Sequence, residues 1–118
     1  MSPESPRIAA YEAAMASARE NLAKFDPDQA FMHLERAHVL GQRDFGRHWS
    51  VHVAMLKVAW EATNGRELRG QFLRLALTPI GHLTQRLPEG NTGRSNVSAF
   101  ATMAVPADLQ RLLDTKDD

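Results

Sequence analysis

The sequence contains no cysteine among its 118 residues. Disulfides and thiolate metal sites are therefore excluded, and any metal ligands must be imidazole or carboxylate groups. An excess of charge of one sign is also lacking, because 14 basic residues balance 14 acidic residues. Nucleic-acid-binding proteins normally carry a clustered basic excess, so we expect no nucleic-acid partner.

Long apolar runs are missing as well. No stretch approaches the ~20 residues that span a membrane, and the first residues lack the pattern of a signal peptide. We therefore expect a cytoplasmic protein with no membrane partner. The content of 43% hydrophobic and 24% charged residues is typical of a folded domain. The length predicts one helical domain over residues 1–118, with a flexible lead at 1–6 and a solvated tail at 114–118.

The spacing of apolar residues predicts helices over most of the chain. Four long helices are predicted at residues 7–24, 27–40, 47–63 and 66–87. Pro79 and Gly81 are expected to bend or split the fourth helix. A short fifth helix is predicted at residues 106–113.

Residues 88–105 show no helical period and are rich in glycine, asparagine and serine. Val97 and Phe100 can pack, so we expect an ordered loop laid across the helices. Short connections between amphipathic helices predict antiparallel hairpins. The fold class is therefore predicted to be all-α, with helical hairpins in a tetratricopeptide-like bundle. The full repeat signature is absent, so a plain antiparallel bundle is the alternative.

Three of the five histidines fall on inward faces of the predicted helices. His48 and His52 are four residues apart on the third helix and lie one above the other within its apolar arc. His38 lies between Phe31 and Leu34 on the inner face of the second helix. The two other histidines, His33 and His82, are predicted at the edge between the apolar and polar faces of their helices.

The apolar arc of the third helix is unusually wide. It includes Trp49, Val53 and Trp60 as well as the residues around the histidines. This pattern predicts a helix almost surrounded by protein, with the two tryptophans in the core or in a groove.

Inward histidines need partners, because an unpaired buried imidazole costs about 1–3 kcal/mol. One interpretation is a metal site with His38, His48 and His52 as ligands. Glu35, one turn before His38, would be the fourth ligand or would orient a ligand. Three imidazoles suit one transition metal ion such as zinc, copper, nickel or iron. The competing interpretation is that the rings are neutral and hydrogen-bonded to Tyr11, Glu12, Glu35 or backbone carbonyls.

Other site types find less support. A di-iron carboxylate centre is disfavoured because no inward glutamate is predicted on the fourth helix. No nucleophile motif is present, and no catalytic residue is assigned. The loop could supply polar contacts to a ligand, and the candidates are Asn91, Thr92, Arg94 and Asn96. Three arginines of the fourth helix are predicted to form a solvated basic face rather than a phosphate site, and they are Arg66, Arg69 and Arg74.

Two segments carry a resemblance to a known family. They are HLERAHVLGQ (residues 33–42) and RLPEGNTGRSNVSAFATMAVPADL (residues 86–109). In these segments the chain resembles an uncharacterised bacterial family of small helical proteins of unknown function. The resemblance implies an association with heavy-metal resistance genes, and it implies no reaction.

The leading functional hypothesis is a cytoplasmic metal-binding accessory protein of metal homeostasis or resistance. The alternative is a non-enzymatic interaction module, with a groove built from Trp49, Trp60 and Phe72 that binds a protein partner or a second copy. A third hypothesis is a small enzyme that uses His48 or His52 as a base, which requires an open pocket beside those rings.

Overall fold

The computed structural model describes residues 5–115, and these residues contain five helices and no strand. The helices are α1 (Pro6–Ala23), α2 (Pro27–Gly41), α3 (Phe45–Glu61), α4 (Gly65–Thr84) and α5 (Ala107–Asp114). The prediction of an all-α chain is confirmed. No helix of the described residues is long and apolar enough to cross a membrane.

Side-chain caps define the start of three of the long helices. Ser5 accepts a hydrogen bond from the backbone N–H of Ile8 at the start of α1. Asp26 caps α2 in the same way, and Asn64 caps α4. These residues satisfy backbone N–H groups that the first helical turn leaves without partners.

The long helices pack in chain order, α1 on α2, α2 on α3 and α3 on α4, and α5 lies against α2 and α1. The connections at 24–26, 42–44 and 62–64 are short, so consecutive helices form antiparallel hairpins. The apolar core lies mainly between α1, α2 and α3 and is closed by Leu109 and Leu113 of α5. A compact bundle results, and its likeness to tetratricopeptide repeats stays a prediction.

The end of the predicted lead takes part in the fold. Residues 1–4 lie outside the described residues, but Ser5 is buried and Pro6 begins α1. Arg7 is also buried, where it donates to the carbonyl oxygen of Leu40 and to Asp44. The start of α1 is thereby attached to the end of α2. Of the predicted tail, residues 116–118 lie outside the described residues and Asp114 ends α5.

Helix α4 is continuous across Pro79, so the expected split of the helix does not occur. The helix ends at Thr84 because Gln85 adopts a left-handed conformation with φ 59°.

The prediction that α3 is surrounded by protein is wrong. Trp60 is 71% exposed, and Trp49 and Val53 are exposed as well. The apolar arc of α3 is wider than the area that α2 and α4 cover, and α3 packs extensively against no other described helix. The outer part of the arc is therefore a surface feature.

Residues 85–106, called the connecting loop below, join α4 to α5 without a helix of their own. Asn91 organises this loop from within. Its side-chain amide donates to the carbonyl oxygens of Ser98 and Ala101 at 2.7 and 2.8 Å. Its Oδ1 accepts from the backbone N–H of Gly93. These contacts hold the loop in an ordered course beside α2 and α4.

Candidate metal centre

The side chains of His38, His48 and His52 meet between α2 and α3, as the sequence predicts. Their three Nε2 atoms form a triangle with edges of 3.1, 3.2 and 3.2 Å. All three residues are buried, and among the described residues they are the only group of three or more close potential metal ligands. In a tetrahedral zinc site with Zn–N distances of about 2.0–2.1 Å, neighbouring ligand nitrogens are about 3.3–3.4 Å apart. The triangle therefore has the size of one face of such a site.

The tautomer of His38 is set by the connecting loop. Its Nδ1 lies 2.6 Å from the carbonyl oxygen of Asn91, which can only accept. Nδ1 must therefore carry the proton, and in a neutral imidazole the other nitrogen then has a free lone pair. The Nε2 lone pair of His38 points into the triangle.

The tautomer of His52 is set by Gln71 of α4. The amide nitrogen of Gln71 donates to Glu67 and to the carbonyl oxygen of Gly93, at 2.7 and 2.8 Å. These two bonds fix the orientation of the amide, so its Oε1 faces Nδ1 of His52 at 2.8 Å. Nδ1 of His52 is therefore the donor, and its Nε2 also presents a lone pair.

His48 has a hydrogen-bond partner, His82, that can be either the donor or the acceptor. Its Nδ1 lies 2.9 Å from Nε2 of His82. If His48 donates, its Nε2 adds a third lone pair to the triangle. If His82 donates, His48 holds its proton on Nε2 and points that proton at the other two rings. The first arrangement leaves three lone pairs for a metal ion. In the second, the proton on His48 Nε2 lies between the lone pairs of the other two rings, so no metal ion is needed.

Burial keeps the three imidazoles neutral. Burial and the neighbouring rings of His52 and His82 lower the pKa of His48 to about 3. Burial lowers the pKa of His52 to about 4, although the hydrogen bond to Gln71 acts in the opposite direction. The pKa of His38 is held well below its ordinary value, chiefly by burial. Neutral imidazole is the form that binds metals, so the cluster is ready for a cation at neutral pH.

The inner face of α4 is polar along its whole length. Its buried residues are Glu67, Gln71, Arg74 and Thr78. Glu67 contradicts the expectation that α4 presents no inward glutamate. Burial alone would raise its pKa, but hydrogen bonds from Gln71, Arg94 and the backbone N–H of Ser95 hold it below the ordinary value. Because these donors occupy its carboxylate, Glu67 supports the centre through Gln71.

Glu35, the predicted fourth ligand, lies outside the histidine cluster. Glu35 does not belong to the group of close ligand atoms. Burial raises its pKa, and Arg94 and Glu67 are the charges that act on it. Arg94 donates to Glu67 at 2.6 Å and stacks on Phe31 with 3.7 Å between Cζ and the ring centroid.

Among the loop candidates, Asn91 lines a cavity beside the triad, whereas Thr92, Arg94 and Asn96 are not in its wall. The interpretation of the arginines of α4 as one solvated face is wrong for Arg74, which is buried and lines the same cavity. Arg66 and Arg69 are exposed.

The sequence interpretation missed Gln71, Glu67 and the contact of His82. One signal for the first two was available, because Glu67, Gln71, Arg74 and Thr78 follow the spacing of one helical face. Phe72, Leu73, Ile80 and Leu83 lie on the opposite face of the helix, and we would normally assign them to the core. All four are exposed, so α4 buries its polar side and exposes its apolar side.

No curated protein and no solved structure matches the chain. A family profile matches residues 6–113, which include all five helices apart from the last residue of α5. The family is described only as a protein of unknown function, so it assigns no role to the histidines. By this match the chain belongs to the family described as "Protein of unknown function (DUF3703)".

Proposed function

We propose that this protein binds one transition metal ion through His38, His48 and His52 and acts as a small cytoplasmic accessory protein of metal homeostasis or resistance. The observation that carries the proposal is the triangle of Nε2 atoms with edges of 3.1–3.2 Å. Two of these atoms have lone pairs whose direction is fixed by partners on the far side of each ring. Lone pairs at this distance repel unless a cation or a proton lies between them.

The hydrogen bonds behind the rings also favour a metal. Metal-binding histidines usually donate their second N–H to a carbonyl or carboxylate, which orients the ring. The bonds of His38 to the Asn91 carbonyl and of His52 to Gln71 have this form. Three imidazoles without thiolate suit zinc, copper, nickel or iron.

Elemental analysis tests the proposal. The protein should be purified without a nickel column and should retain about one metal ion per chain. The triple variant His38→Ala, His48→Ala, His52→Ala should lose that ion. His33→Ala is the matched control because His33 lies outside the cluster. A triple variant that keeps the native metal content would contradict the proposal, and circular dichroism would show whether it stays helical.

A second candidate function is self-association through the exposed side of α3 and α4. Phe72 is 59% and Leu83 86% exposed, on a helix whose polar side is buried. Large apolar side chains exposed along one face of a helix favour an interaction site. We propose a second copy of this chain as the partner. Light scattering should give the mass of a dimer for the native protein and of a monomer for Phe72→Ser, with Met32→Ser on α2 as control. A native monomer at high concentration would contradict this candidate.

A further inference from the structure

A cavity of about 260 Å³ adjoins the histidine triad. All three imidazoles form part of its wall, so a fourth ligand to the proposed metal ion could reach the triad from this side. The rest of the wall comes mainly from α4 and the connecting loop. Most of it is apolar, and the apolar lining consists of Leu77, Ile80, Leu87, Pro88, Ala99 and Phe100.

Arg74 places a buried positive charge in the same wall. Its guanidinium donates to the carbonyl oxygens of Gly70 and Val97, at 3.1 and 2.5 Å. Its Nε is buried without any acceptor among the described residues. Glu67 is the negative charge that acts on Arg74, and its carboxylate is bonded to Arg94. Arg74 is thus a buried cation without a carboxylate partner of its own in the described part of the chain.

Uncompensated buried charge is costly, and such a cation is favourable where an anion binds. A guanidinium pairs especially well with a carboxylate, which can accept two parallel hydrogen bonds. Carboxylate oxygens are also ordinary ligands of zinc and similar ions. The apolar lining in turn favours a ligand whose remaining surface is apolar.

We propose that the cavity binds a small carboxylate with an apolar body, whose carboxylate reaches the metal ion and Arg74. This inference rests on the proposed function, since the metal ion would supply the second contact to the carboxylate. At roughly 30 Å³ for each water-sized group, the cavity accommodates about nine non-hydrogen atoms. Benzoate has this size and is the probe for the test.

The protein loaded with Co²⁺ should be titrated with benzoate while its visible absorption spectrum is recorded. Entry of a carboxylate into the coordination sphere should change the spectrum in a saturable way. Benzamide has the same shape without the charge, and acetate has the charge without the apolar body. Both should bind at least about tenfold more weakly than benzoate.

Two arginine variants separate the contribution of Arg74 from that of the metal. Arg74→Gln should weaken benzoate binding at least about tenfold and leave the retained Co²⁺ unchanged. Arg69→Gln, on the exposed side of the same helix, should leave both unchanged. If Arg74→Gln does not fold, the comparison of benzoate with benzamide on the native protein decides the question.

The outcomes distinguish the two proposals. A site of three imidazoles binds all late divalent metals to some degree, so a native protein that retains no Co²⁺ contradicts the proposed function and this inference together. If Co²⁺ is retained but benzoate leaves the spectrum unchanged, or benzamide binds equally well, only the carboxylate site is overturned.

Discussion

Gly93 lies directly against the imidazole ring of His38. A Cβ atom at position 93 would come within 2.6 Å of the ring Cδ2, and the φ angle of 81° is one that side-chain-bearing residues rarely adopt. The loop can therefore approach the ring only with glycine at this position. The close approach also brings the Gly93 carbonyl oxygen to Gln71, which orients His52.

The substitution Gly93→Ala should disturb both the fold and the metal centre. The positive φ and the contact with the ring should together lower the free energy of unfolding by about 1–3 kcal/mol. Displacement of His38 should also reduce the retained metal. Urea unfolding and elemental analysis measure the two effects.

Gly46→Ala is the control, since nothing lies within 4 Å of the Cβ position there and Gly46 is in α3. It should be neutral or stabilising by up to about 1 kcal/mol. Equal stability of the two alanine variants would contradict the proposed contact of Gly93 with His38.

The substitution His82→Leu should weaken metal binding without removing a ligand. Nε2 of His82 accepts a hydrogen bond from the Nδ1–H of His48 in the arrangement that leaves His48 Nε2 free for a metal. Loss of such a partner typically lowers metal affinity by about 10–100-fold. Competition with a chromogenic chelator measures the affinity. His33→Leu, which also changes a partly exposed histidine, should keep the native value, and an unchanged affinity in His82→Leu would argue against a positioning role.

The metal-free protein should lose stability as the solution becomes acidic. The pKa of His48 is lowered from 6.5 to about 3 and that of His52 to about 4. Between these values and 6.5 the unfolded chain binds protons that the folded chain does not. Stability is therefore highest above pH 6.5 and falls toward pH 4, by up to about 1.4 kcal/mol per pH unit for each histidine.

Urea unfolding at several pH values, with a chelator present, measures this dependence. The double variant His48→Gln, His52→Gln should show a flatter profile, because it no longer has these two groups to protonate. A native profile that is level between about pH 6.5 and about pH 4.5 would show that the rings are not buried in neutral form.

The substitution Asn91→Ala should loosen the connecting loop. It removes three side-chain hydrogen bonds, which join Asn91 to Ser98, Ala101 and Gly93. We expect a loss of about 2–3 kcal/mol in the free energy of unfolding. Asn96→Ala is the matched control, since Asn96 is exposed and its loss should change stability by less than about 0.5 kcal/mol. Hydrogen exchange should become faster throughout the loop in Asn91→Ala alone.

Helical spacing was sufficient to predict the three ligands of the candidate centre. His48 and His52 share a face through their four-residue separation, and His38 falls within the apolar face of α2. These features depend on local geometry, which the sequence records directly. The break between α2 and α3, which lies at residues 42–44 in the structure, was predictable for the same reason.

The surroundings of the ligands depend on packing between distant segments. The contact of His48 with His82 joins residues 34 positions apart, and that of His38 with Asn91 joins residues 53 apart. Helix α4 misled the interpretation further because it buries Gln71 and exposes Phe72, the reverse of the usual preference. A helix that buries its polar face is recognised only when the elements packed against it are known.

The acceptor that holds His38 is a main-chain carbonyl, that of Asn91. Every amino acid has this group, so no exchange of the side chain at position 91 can delete the acceptor itself. What a substitution can change is the course of the loop. The tautomer of His38 thus depends on the course of the loop. Homologues could keep this tautomer with a different residue at position 91, provided that the loop keeps its course.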